Sequence, residues 1–121
     1  MFADSKAFSG FSVDDLAAAE QFYEQVLGLP VTEEHGMLFI HLAGDKDVFV
    51  YPKPNHTPAT YTILNFPVDD IEEAVSKLAN RGVTFDTGEN IDDKGIYRGR
   101  GPLIAWFKDP AGNILSVLEN E

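Results

Sequence analysis

The feature that most constrains this chain is that it is written twice. Phe11-Ser12-Val13-Asp14-Asp15-Leu16 is answered by Phe66-Pro67-Val68-Asp69-Asp70-Ile71, an offset of 55 residues. Gly28-Leu29 is answered by Gly82-Val83 at an offset of 54. Two matches in register, each at the edge of a predicted element, point to a duplicated unit of strand and helix.

The pattern between the matches supports that reading. In the first half Phe8, Phe11 and Val13 suggest a strand. Asp14 or Asp15 then caps a helix whose apolar positions are Leu16, Ala19, Tyr23, Val26 and Leu27. Gly28 and Pro30 end it. Strands follow near 31–34, 37–43 and 48–52, with turns at His35-Gly36 and Gly44-Asp45-Lys46. In the second half 61–67 is a strand, and Asp69 or Asp70 opens a helix with the stripe Ile71, Ala74, Val75, Leu78, Ala79. Gly82 closes it, and strands are expected at 83–86, 103–108 and 114–118. Asp109-Pro110-Ala111-Gly112-Asn113 joins the last two.

The predicted fold is therefore α+β: one domain, 1–121, of two tandem β-α-β-β-β modules, about 1–57 and about 58–121. The polar, proline-bearing stretch 53–58 connects them. A helix between strands of one sheet covers one face and leaves the other free. Two such curved mixed sheets make a half-barrel with a cleft, a natural place for a small molecule.

Composition narrows the function. Twenty acidic against nine basic side chains give a net charge of −11 in 121 residues, spread over both halves. Such a surface excludes nucleic acid and anionic membrane as main partners. Much of the negative charge lies at predicted helix starts, where it is favoured. There is no cysteine, so disulfides, thiolate metal sites and a cysteine nucleophile are excluded. No apolar run approaches the length of a membrane span, and the first residues lack the layout of a signal peptide. A cytoplasmic location is expected. Neither a G-x-S-x-G elbow nor a glycine-rich phosphate loop at a strand-to-helix junction is present.

Val13-Asp14-Asp15-Leu16, Phe22-Tyr23-Glu24-Gln25-Val26-Leu27-Gly28-Leu29, Val68-Asp69-Asp70-Ile71 and Phe107-Lys108-Asp109-Pro110-Ala111-Gly112-Asn113 resemble the vicinal oxygen chelate superfamily over nearly the whole chain. That group includes glyoxalase I, extradiol dioxygenases, methylmalonyl-CoA epimerase, and fosfomycin and bleomycin resistance proteins. The motifs are structural: a helix face, its stop and a hairpin turn. They speak for the fold more than for a reaction. The resemblance also implies a homodimer, and a divalent metal held from four strand positions by His, Glu or Gln. Those positions fall here on Phe8, on Ile63, on Ser116, and on Val50 or Tyr51. None is a plausible ligand, so no metal and no other cofactor is expected.

Among members of this superfamily, the bleomycin resistance proteins are the metal-free precedent, and they sequester a ligand in clefts. The resemblance then implies a metal-independent protein that binds a small, partly apolar molecule. Two alternatives stay open. One is a metal-dependent lyase, isomerase or dioxygenase with a relocated site, for which His41 is the candidate. The other is a non-catalytic structural or regulatory module. No catalytic residue is assigned. Tyr51 and Trp106 are expected to face the cleft, with core as the competing assignment. The segment 87–102 has no counterpart in the first half and holds Lys94, Arg98 and Arg100. It reads either as a lid whose Arg98 or Arg100 meets an anionic ligand group, or as a surface loop whose cations offset nearby acids. The candidate ligand-binding set is thus Phe8, His41, Tyr51, Ile63, Arg98, Trp106 and Ser116.

Overall fold

A computed structural model describes residues 1–119. The chain divides into two compact units, Met1–Thr57 and Pro58–Glu121.

The first unit contains β1 (Ser9–Val13), α1 (Leu16–Gln21), β2 (Val31–Glu34), β3 (Met37–Leu42) and β4 (Lys46–Pro52). The sheet order is β1-β4-β3-β2, with β1 parallel to β4 and the others antiparallel. Asp15 caps α1 by accepting the Ala18 N–H at 3.1 Å. The helix then departs from regular α geometry. Residues Phe22–Val26 form a π-helical turn, in which the Leu27 N–H reaches the Phe22 carbonyl at 3.0 Å. This wider turn carries Tyr23 into the sheet face, where it is fully buried with its ring 5.8 Å from that of Phe11. Val13, Ala19, Leu38, Ile40, Val48 and Val50 complete that core.

The second unit contains β5 (Thr62–Val68), α2 (Ile71–Asn80), β6 (Leu103–Lys108) and β7 (Ile114–Glu119), with sheet order β5-β7-β6. Strand β5 runs parallel to β7, as β1 does to β4. Asp70 caps α2 through the Glu73 N–H, and Glu119 of β7 accepts the Ile71 N–H at 3.0 Å. The helix start is thereby tied to the sheet. Ile71, Val75, Ala105, Phe107, Leu115 and Val117 form the core. The Asp109 turn is held from inside. The buried Asp109 carboxylate accepts the Ala111 and Asn113 N–H groups and the Asn113 amide at 2.8–3.0 Å. The residue pattern of this turn thus gives the buried carboxylate the donors it needs.

The strand expected at 83–86 does not form as a ladder. Phe85 makes a single bridge to Phe107, and the Asp86 N–H reaches the Trp106 carbonyl at 2.9 Å. The chain then leaves the sheet, returns at Tyr97, and bonds the Ile104 carbonyl. The outer edge of β6 is therefore met in two places by a loop rather than along its length by a strand. Gly95 lets this loop close, because a Cβ there would overlap the Phe85 side chain. Among the described residues no helix is long and apolar enough to cross a membrane.

Candidate functional site

Each sheet has a face turned away from its helix, and the strand registers define what that face presents. In the first unit Val48 and Val50 face α1, so Phe49 and Tyr51 lie on the other side. Gly10 is paired with Phe49, and Phe49 with Phe39. The three rings Phe39, Phe49 and Tyr51 form a continuous row, with centroids 5.5 and 5.4 Å apart and the last pair stacked. Such ring pairs each add about 1 kcal/mol beyond their burial. The row depends on Gly10: a Cβ there would lie 2.9 Å from the Phe49 carbonyl oxygen and 3.3 Å from the Phe49 ring. Phe49 and Tyr51 continue into a shallow, open groove of about 450 Å³, lined also by His35, Gly36, Met37 and Pro52.

Two histidines border this face. His41 is paired with Asp47 across the hairpin, and its Nδ1 lies 2.8 Å from the Asp47 carboxylate. A carboxylate only accepts, so Nδ1 carries the proton. In the neutral ring Nε2 then accepts from the Thr32 hydroxyl at 2.9 Å. Both ring nitrogens thus have partners, and among the described residues no His, Asp or Glu pair joins His41 in a group that could hold a metal ion. His56 reaches back from the connector, its Nδ1 2.6 Å from the Ser12 hydroxyl.

In the second unit the corresponding row is Asn65, Ser116 and Trp106, paired in that order across β5, β7 and β6. Ser116 is fully buried and donates to the Asn65 side-chain oxygen at 2.7 Å. Trp106 is half-buried, with the Tyr97 ring 5.7 Å away. Ile63 sits beside a shift of register between Thr62 and Leu64 and is also half-buried.

Arg98 lies elsewhere. Its Nε donates to Asp92 at 2.8 Å, and its guanidinium is 3.9 Å from Glu72 on α2, which Lys94 also meets at 3.5 Å. The Arg98 hydrogen bond, with N–H groups of Ile96 and Lys94, holds the Asp92 carboxyl down to about 2. The same contact raises the Arg98 guanidinium. Arg98 is thus engaged by carboxylates on the helix side of its unit.

The positions that would carry a divalent metal do not fit one. Phe8 precedes β1, is 65% exposed and has no donor atom. Val50 is buried against the helix side, Ile63 has no lone pair, and Ser116 offers a neutral hydroxyl, a weak ligand beside the usual imidazole or carboxylate. The register adds a refinement. Because Gly10 pairs with Phe49 as Asn65 pairs with Ser116, the counterpart of Ser116 in the first unit is Phe49 rather than Val50 or Tyr51. Among the described residues no three His, Asp or Glu side chains are grouped to hold a metal ion. Phe49 in this role and Asn65 were missed in the sequence. The repeat could have found both, had it been carried through the strand pairing.

The three-dimensional likeness to solved structures is extensive. The antibiotic-binding protein TnmS3 from Streptomyces sp. CB03234 superposes with a TM-score of 0.71 at 21% identity, over 98% of each chain. Fosfomycin resistance protein FosX from Mesorhizobium loti gives 0.68 at 16%, over 98% of this chain and 93% of that one. Lactoylglutathione lyase from Agrobacterium tumefaciens gives 0.69 at 22%, over 97% and 95%. At these identities the likeness is one of fold. No curated protein sequence matches the chain significantly. The family model of the Glyoxalase/Bleomycin resistance protein/Dioxygenase superfamily matches residues 8–117. With a β-α-β-β-β unit in the first half, a β-α-β-β counterpart in the second, the capped helices and the hydrogen-bonded Asp109 turn all within that span, the chain belongs to the glyoxalase/bleomycin resistance protein/dioxygenase superfamily.

Proposed function

We propose that this protein binds a small, partly apolar molecule without a metal ion, and that Tyr51 and Trp106 are among the residues that meet it. The observation that carries the reading is the substitution of chemistry on the free sheet faces. Where a metal-dependent relative needs His, Glu or Gln, this chain places an aromatic row on Gly10 and a serine bonded to Asn65. Apolar walls with a few fixed polar groups are how small-molecule sites are built. TnmS3, which shares the fold, is an antibiotic-binding protein. The proposal includes a homodimer in the cytoplasm, for which Phe2, Phe8 and Tyr61 supply exposed apolar surface.

Protein purified without chelators or a histidine tag, assayed by elemental analysis, is expected to hold only substoichiometric metal. One Zn, Ni, Mn or Fe per chain overturns the metal-free reading. By calorimetry Tyr51→Ala and Trp106→Ala should each weaken binding of an aromatic probe such as 2-acetylnaphthalene several-fold. If neither does, these residues do not form the site.

A further inference from the structure

The Asn65–Ser116 pair makes a specific demand on whatever binds beside it. Ser116 has no exposure to solvent, so its hydroxyl hydrogen must find an acceptor within the protein. The Asn65 side-chain oxygen, at 2.7 Å, supplies it. That bond fixes which way round the amide sits: the oxygen turns inward to Ser116 and the NH2 group turns outward. Asn65 itself is exposed, on the face of the sheet away from α2. Among the described residues no partner takes the hydrogens of its Nδ2. In the same cross-strand row stands Trp106, half-buried, with Tyr97 beside it. Ile104 and Leu118, paired one step along, add apolar surface on that face.

We infer that Asn65 is the specificity-determining donor of a ligand subsite on the second unit. The subsite takes a planar aromatic group bearing a carbonyl-type acceptor: the ring lies against Trp106 and the oxygen receives the Asn65 N–H. Ser116 acts through Asn65 as a positioning residue and does not touch the ligand. An oriented amide next to an apolar ring surface rejects a ligand lacking the acceptor, because its N–H is then desolvated without a partner. This inference rests on the small-molecule binding reading above and names its ligand class.

Trp106 is the sole tryptophan of the chain, so its fluorescence reports on this row. The probes are 2-acetylnaphthalene and its carbonyl-free analogue 2-isopropylnaphthalene, titrated against the full chain. The wild type is expected to bind the ketone about tenfold more tightly, the worth of one well-placed hydrogen bond. Asn65→Asp keeps an acceptor for Ser116 but replaces the outward N–H by oxygen. It should abolish the preference by weakening the ketone, while the hydrocarbon binds as before. Ser116→Ala, which frees the amide to rotate, should reduce the preference without removing it. A preference that survives Asn65→Asp, or a wild type that binds both probes equally, overturns the inference and leaves the binding reading standing. If neither probe quenches Trp106 or binds by calorimetry, both fall.

Discussion

Placed side by side, the rows Gly10–Phe49–Phe39 and Asn65–Ser116–Trp106 occupy matching positions in the two sheets and solve the same problem in opposite ways. In the first unit the parallel strand contributes no side chain at all, and the central position is a ring that fills the space over Gly10. In the second, the parallel strand contributes an amide, and the central position is a small hydroxyl that orients it. A duplicated scaffold has been given one apolar and one polar face centre. The backbone register survives both choices, since pairing is carried by main-chain hydrogen bonds and by the helix-facing residues of each strand. What differs is confined to the side of each sheet that its helix does not cover.

That contrast can be broken by substitution, and the largest effect is expected at Gly10. Gly10→Val forces a branched side chain against the Phe49 carbonyl and ring, an overpacking that should cost about 1–3 kcal/mol in urea unfolding. A neutral result would show that the aromatic row is not seated on β1. Next comes an asymmetry in the polar row. Asn65→Ala leaves the buried Ser116 hydroxyl without an acceptor and should cost about 1–2 kcal/mol. Ser116→Ala should cost less than about 1 kcal/mol, because the exposed Asn65 amide turns to water. Equal losses would mean that Ser116 has another outlet. The smallest effect lies in the loop that only the second unit has. The Asp92 carboxyl is held at about 2, below its ordinary 3.8. Its contribution is therefore complete above the ordinary value and is lost as pH falls from there through about 2. Because Asp92 and Arg98 are partly exposed, that contribution should stay under about 1 kcal/mol. Asp92→Asn should flatten this part of the acid-unfolding profile and leave stability at neutral pH lower; an unchanged acid limb would count against the Arg98 contact.

How much of this was legible in the sequence follows from which interactions are local. The Asp15 and Asp70 caps, the stops at Gly28 and Gly82 and the Asp109 turn all act within five residues, and their residue types announce them. The β-α-β-β-β order of the first unit followed from those punctuation marks, and so did the second unit's order apart from one strand. The π-helical turn at Phe22–Val26 was not legible, because its apolar positions also satisfy ordinary helical spacing. Strand 83–86 was over-read: its alternation is real, but the edge it would occupy is shared with the returning loop at Tyr97. For the site, Tyr51 and Trp106 were legible as strand aromatics. The partners of His41 were not, since Asp47 reaches it only through the hairpin register. Asn65 was missed for the same reason: its meaning depends on Ser116, 51 residues away.

The doubly anchored edge of β6 has a consequence for the behaviour of this protein in a crowded solution. An uncovered outer strand offers a free row of carbonyls and N–H groups to any other chain, and is the usual starting point for sheet-to-sheet growth into aggregates. Here Asp86 and Tyr97 occupy the Trp106 and Ile104 carbonyls, so part of that template is already taken. The guard is a loop that can close only because Gly95 has no side chain to meet Phe85. Damage at Gly95 would therefore uncover a sticky edge on an otherwise folded molecule, and its first symptom would be lost solubility rather than lost structure.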